Sequence, residues 1–124
     1  MKFTIAIFLV VVLAYLIWNR AAARSVQIAA PDAKILVDQG ALLVDVRTPA
    51  EYAAGHLPGA LNIPYDQIAA RTGELGVDQG RAIVLYCRSG NRSGLAHATL
   101  EKLGFKKTFN AGGFSKLNQV WTSK

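Results

Sequence analysis

Apolar and polar positions divide this chain into two unlike stretches. From Phe3 to Trp18 run sixteen residues without a charge (FTIAIFLVVVLAYLIW), between Lys2 on one side and Asn19 and Arg20 on the other. Beyond Ser25 the pattern is finer. Val26–Ile28 reads as a short first strand, and Pro31–Gln39 as a helix stopped by Gly40. Ala41–Val46 is an unbroken apolar run, the signature of a strand buried on both faces. Pro49–Ala54 predicts a brief helix ended by Gly55, Ala60–Ile63 a short strand and Tyr65–Arg71 another helix. Ala82–Tyr86 (AIVLY) is the clearest buried strand. Ser93–Leu103 predicts a helix ended by Gly104, Lys107–Phe109 a last strand, and Phe114–Trp121 a closing helix. Strands alternating with helices at these lengths argue for an α/β fold, a central parallel sheet flanked by helices.

The first stretch is apolar on all faces, unlike a helix that packs one side on a core. A helix over Phe3–Trp18 is about 24 Å long. Trp18 is suited to an interface, and Lys2 and Arg20 are long enough to snorkel toward the ~30 Å hydrocarbon boundary. The favoured expectation is a single membrane anchor over residues 1–24 followed by a domain over 25–124. The other reading is a secretory signal cut near Ala21-Ala22-Ala23, leaving a secreted or periplasmic domain. Bulky Trp18 and charged Arg20 near the cut weigh against it. Lys2 and the free amine oppose Arg20 and Arg24, so flanking charge does not orient the helix.

Charge changes the picture little. Of fourteen Lys and Arg residues, three (Lys2, Arg20 and Arg24) flank the apolar run, leaving eleven against eight acids. That mild excess is not the basic stripe of a nucleic-acid binder. The single cysteine excludes an internal disulfide framework and a Cys-rich zinc site. No organic cofactor motif or metal motif is present.

The chemistry concentrates in Tyr86-Cys87-Arg88-Ser89-Gly90-Asn91-Arg92-Ser93-Gly94, where the best strand ends and a helix begins. Ligands of open α/β sheets bind outside the carboxyl ends of the strands. A tight loop entering a helix turns N–H groups inward, and the helix adds partial positive charge. Arg88 and Arg92 lie in the same loop, and Gly90 and Gly94 allow close backbone approach. Such a loop favours a thiolate at Cys87 and receives an anionic substrate. The bland reading, a small apolar residue closing a buried strand, does not account for Arg-x-Gly-x-Arg-Ser after it.

This loop resembles the active-site loop of single-domain rhodaneses. Asp45-Val46-Arg47-Thr48-Pro49, with Glu51-Tyr52 and Gly55-His56-Leu57-Pro58-Gly59-Ala60, is similar to that family's first signature. Asn110 with Gly112-Gly113 is similar to the start of its C-terminal one. The likeness spans about Val26 to Leu117; at Leu117 the family often carries a tryptophan. It implies a rhodanese-like fold preceded by the hydrophobic N-terminal helix, and a thiosulfate sulfurtransferase with Cys87 as the catalytic nucleophile. Arg88, Ser89, Gly90, Asn91, Arg92 and Ser93 would bind the substrate. The implied partners are an anionic, thiosulfate-like donor and a thiol or cyanide acceptor, joined through a Cys87 persulfide.

Two other functions compete. Related phosphatases and arsenate reductases place five residues between cysteine and arginine; here four separate Cys87 from Arg92, a tighter cradle. A membrane-tethered binding module is the second, although retention of Cys87 with both arginines favours turnover. His56 and His97 read as structural, without Cys or His partners at metal-ligand spacing. Asp45 is expected to orient the neighbouring loop, and Arg47 and Glu51, four apart, to pair across a helical turn.

Overall fold

The computed structural model describes residues 2–23 and 27–123. Helix α1 (Lys2–Ala23) precedes α2 (Ala30–Asp38), β1 (Leu42–Asp45), α3 (Pro49–Ala54) and β2 (Leu61–Asn62). A 3-10 turn (Thr72–Leu75), β3 (Ile83–Cys87), α4 (Asn91–Lys102), β4 (Thr108–Gly113) and α5 (Phe114–Thr122) follow.

The four strands form one parallel sheet in the order β2-β1-β3-β4. Side chains alternate across it, which sorts the core into two layers. Ile83, Leu85 and Cys87 of β3 join Val44, Ala96, Leu100 and Phe105 on the α4 face. Val84 and Tyr86 join Ala33, Leu43, Leu57, Ala111 and Leu117 on the face covered by α2 and α5. Every residue of β3 is fully buried. Cys87 therefore ends the central strand on the α4 side, and the loop that follows leads into α4.

Local sequence explains α3. Thr48 caps it, accepting from Glu51 N–H at 3.2 Å, while the Glu51 carboxylate accepts from Thr48 N–H. Pro49 occupies the first turn, where its missing N–H costs nothing.

Four expectations change. The first is the membrane anchor, and with it the localisation and membrane contact drawn from it. Among the described residues, no helix is long and apolar enough to cross a membrane. Although α1 has 22 residues, its uncharged part ends at Trp18, at about 24 Å, against a ~30 Å hydrocarbon core.

The second is the helix at Tyr65–Arg71. The chain there closes bonds three residues apart, from Gln67 N–H to Pro64 C=O, Ala70 N–H to Gln67 C=O and Arg71 N–H to Ile68 C=O. From 65 to 70 only Ile68 is buried, so one anchor stands where a helix needs an apolar stripe. The third is the last strand, which runs on to Gly113. Near residue 27 the expected first strand is a single bridge from Gln27 to Asn110; Val26 lies outside the described residues.

Candidate active site

Cys87 is fully buried at the base of the loop. Gly90 N–H donates to its Sγ at 2.9 Å, and the Ser93 hydroxyl lies 3.4 Å away. Gly90 takes a left-handed conformation (φ +93) that caps α4. That conformation turns its N–H back onto the sulfur, and any residue with a Cβ resists it. Burial works against a charged sulfur. It is outweighed by the Ser93 hydroxyl and the N–H groups of Ser93, Ser89 and Gly90, which hold the Cys87 pKa below its ordinary value. The N-terminus of α4 adds its partial positive charge.

Asn110 supports this arrangement from β4. Its Oδ1 accepts from Ser93 Oγ at 2.7 Å and from Gly112 N–H at 3.0 Å, and its Nδ2 donates to Gly90 C=O at 2.9 Å. The Ser93 hydroxyl has one hydrogen, so Asn110 and the sulfur compete for it. The Gly112-Gly113 pair acquires a steric reason. A Cβ on Gly113 would stand 2.6 Å from Arg88 C=O, so only glycine lets the loop lie against β4.

The arginines separate by role. Arg92 is held by Glu51 in a two-pronged pair, Nη1 to Oε1 at 2.7 Å and Nη2 to Oε2 at 3.0 Å. That guanidinium, the largest influence, keeps the Glu51 carboxyl well below the usual range, at about 2. Arg47 is buried against Asp45, with Nη2 to Oδ2 at 2.6 Å and Nε to Oδ1 at 3.0 Å, and it donates to Gly55 C=O at 2.7 Å. Its guanidinium lies 4.5 Å from the centre of the Phe114 ring. Arg88 is exposed at the loop's mouth. A cavity of about 310 Å³ adjoins it, lined by Arg47, Glu51, Ala54, Arg88, Phe114 and Ser115.

Of the residues singled out in the sequence, the fold brings Ser89, Gly90 and Ser93 onto the Cys87 sulfur. Arg88 stands at the mouth, Asn91 is exposed at the start of α4, and Arg92 is turned to Glu51. The expected Arg47–Glu51 pair is replaced by Asp45–Arg47 and Glu51–Arg92. The second joins residues 41 positions apart, and no local spacing announces it. Asp45 does orient the neighbouring loop, accepting from Arg47 N–H at 2.9 Å. Tyr86 was legible only as a strand residue, yet its hydroxyl accepts from Leu57 N–H at 3.1 Å and anchors the loop before β2. His56 stacks on Tyr52 at 3.7 Å, and His97 bonds Thr108 Oγ1 at 2.7 Å. Among the described residues no group of three or more His, Cys, Asp or Glu is placed to hold a metal.

Comparison with known proteins identifies the family and the fold. A family model described as rhodanese-like domain matches residues 29–119. A sulfurtransferase from Allochromatium vinosum is 47% identical over 72 residues, covering 58% of this chain and 65% of that protein. The thiosulfate sulfurtransferase PspE of Escherichia coli is 34% identical over 74 residues, covering 60% of this chain and 71% of that protein. The uncharacterized protein YqhL of Bacillus subtilis is 44% identical over 77 residues, covering 61% and 60%. The chain thus spans less than two thirds of the Allochromatium and Bacillus relatives. Among solved structures, a rhodanese with anions from E. coli superposes with a TM-score of 0.60 at 32% identity, covering 62% of this chain and 91% of that one. The human single-domain sulfurtransferase TSTD1 shares the fold, with a TM-score of 0.65 at 23% identity, over 79% and 97%.

Proposed function

The chain belongs to the rhodanese-like domain family, and from that premise we propose that residues 25–124 carry a sulfurtransferase that loads a sulfane sulfur on Cys87. The Cys87 thiolate attacks the outer sulfur of an anionic donor such as thiosulfate. A sulfur–sulfur bond forms to Cys87 as the donor's own sulfur–sulfur bond breaks, and sulfite leaves with the electron pair. The terminal persulfide sulfur carries the negative charge. An acceptor thiolate or cyanide then attacks that sulfur, and the Cys87 thiolate is released. No net oxidant or reductant is consumed.

The observation that carries this reading is the donor set on a buried sulfur, with Gly90 N–H at 2.9 Å and Ser93 Oγ at 3.4 Å. These groups stabilise an anion where the attack begins and where the second step returns it. The four residues between Cys87 and Arg92 favour sulfur over a phosphoryl group, because a shorter loop encloses a smaller anion. Exposure of Arg88 supports its receiving the donor, whereas Arg92 braces the loop against α3 through Glu51.

Intact-mass spectrometry after incubation with thiosulfate tests this, wild type beside Cys87→Ser. The expected result is a gain of about 32 Da, one sulfur, on wild type alone. An unmodified, folded wild type would remove thiosulfate as the donor.

A further inference from the structure

Gln27 lies two residues before the stretch matched by the family model. Its backbone bridges in parallel to Asn110, and the next residue, Ile28, donates its N–H to Asn110 C=O at 2.9 Å. This places residue 27 beside β4 at Asn110, the residue that holds Gly90 and Ser93.

Although Gln27 as a whole is exposed, its carboxamide occupies the space beside two glycines. A Cβ on Gly90 would clash with Gln27 Nε2 and stand 2.9 Å from its Cδ. A Cβ on Gly112 would stand 2.9 Å from Gln27 Oε1. Gly112 Cα lies only 3.2 Å from the position of a Gly90 Cβ, and both glycines have positive φ, +93 and +83. The two glycines form a slot, and the carboxamide fills it.

Gly90 is the residue whose N–H meets the Cys87 sulfur, and its C=O is fixed by Asn110. A glycine without side-chain contacts of its own is free to rotate unless neighbouring groups hold it. Asn110 holds the carbonyl side of Gly90, and the Gln27 carboxamide packs beside its Cα. We propose that Gln27 is a positioning residue for the sulfur-binding loop, its carboxamide wedging Gly90 and Gly112 so that the Gly90 N–H stays on the Cys87 sulfur. The consequence is that Gln27 takes part in tuning the thiolate, and does so from outside the family's matched region.

This rests on Cys87 acting as a thiolate. The test follows that directly: the pH dependence of Cys87 alkylation by iodoacetamide, read by intact mass in the full chain. Because the chain has one cysteine, every adduct reports Cys87. Wild type, Gln27→Ala and Gln27→Met are compared, with thermal midpoints and thiosulfate loading measured alongside. Gln27→Ala is expected to raise the alkylation midpoint by about half a pH unit and to slow alkylation below it by about threefold. Gln27→Met, which refills the slot with a side chain of similar length, is expected to keep the wild-type midpoint. An unmoved midpoint in Gln27→Ala, even with a lowered thermal midpoint, overturns the proposal, as does an equal shift in Gln27→Met. If wild type fails to load from thiosulfate while Gln27→Ala still shifts the midpoint and Gln27→Met restores it, the donor assignment fails and the positioning role is supported.

Discussion

At the scale of single residues, the site depends on hydrogen-bond donors delivered to one sulfur. Ser93→Ala removes the hydroxyl and leaves the backbone donors. We expect the thiol pKa to rise and thiosulfate loading near neutral pH to slow by about tenfold, one pKa unit of lost thiolate preference. Stopped-flow alkylation against pH measures the first effect and time-resolved mass the second. Glu51 gives a separate prediction. Its pKa lies at about 2 in the fold because of Arg92, below the ordinary carboxylate value. A depressed acid stabilises the fold above its ordinary pKa and loses that contribution as pH falls toward the depressed value. Glu51→Gln is therefore expected to lower stability by roughly 1 kcal/mol at pH 7, the scale of a partly exposed pair. The gap from wild type should close between about pH 4.5 and 2. Melting curves across that range decide it; a gap independent of pH would assign the effect to the helix cap instead.

At the scale of elements, the loop is held by β4 and by the turn before β2 as much as by α4. Gly113→Ala would drive a Cβ against Arg88 C=O, a backbone atom with no side chain to swing away. The loop must shift, and the expected result is a loss of about 1–3 kcal/mol together with slower sulfur transfer. Chemical denaturation and a transfer assay on the same sample show both. What could be read in the sequence follows the same division. The α3 helix was legible to the residue, because Thr48, Pro49, Glu51 and Gly55 are local signals for its two ends. The β4 strand was legible only at its start, Thr108-Phe109, since Asn110-Ala111-Gly112-Gly113 reads as a turn. Its glycines serve instead the approach of Arg88 and the turn at Gly112. Tyr65–Arg71 failed for the opposite reason: its composition suits a helix, but Ile68 alone reaches the core. The cysteine loop was legible as a motif, while the contacts that tune it, from Glu51, Asn110 and Gln27, come from distant parts of the chain.

At the scale of the whole molecule, charge and burial act together. The formal charge is +6, and two of the arginines around the site are committed, Arg47 to Asp45 and Arg92 to Glu51. Arg88 is exposed, and it is the residue proposed to meet the donor. We expect kcat/KM for thiosulfate to fall with ionic strength, as steering of an anion requires, and Arg88→Ala to flatten that dependence. A salt series on both proteins tests this, and parallel slopes would assign the steering to the overall charge.

If Cys87 carries sulfur as proposed, its complete burial gives the protein two chemical identities. Unloaded, the reactive atom lies at the floor of the loop, shielded from bulky electrophiles and from oxidants too large to enter. Under the proposed persulfide chemistry, loading would add one sulfur–sulfur bond, about 2 Å, and carry the reactive atom away from Cys87 Sγ by that length. The cargo would then be more open to attack than the residue that bears it. A bulky maleimide should label the loaded form much faster than the empty one, while a small alkylator should discriminate far less. Concealment of the empty thiol and exposure of the full one would let a downstream acceptor find the enzyme only when it has sulfur to give.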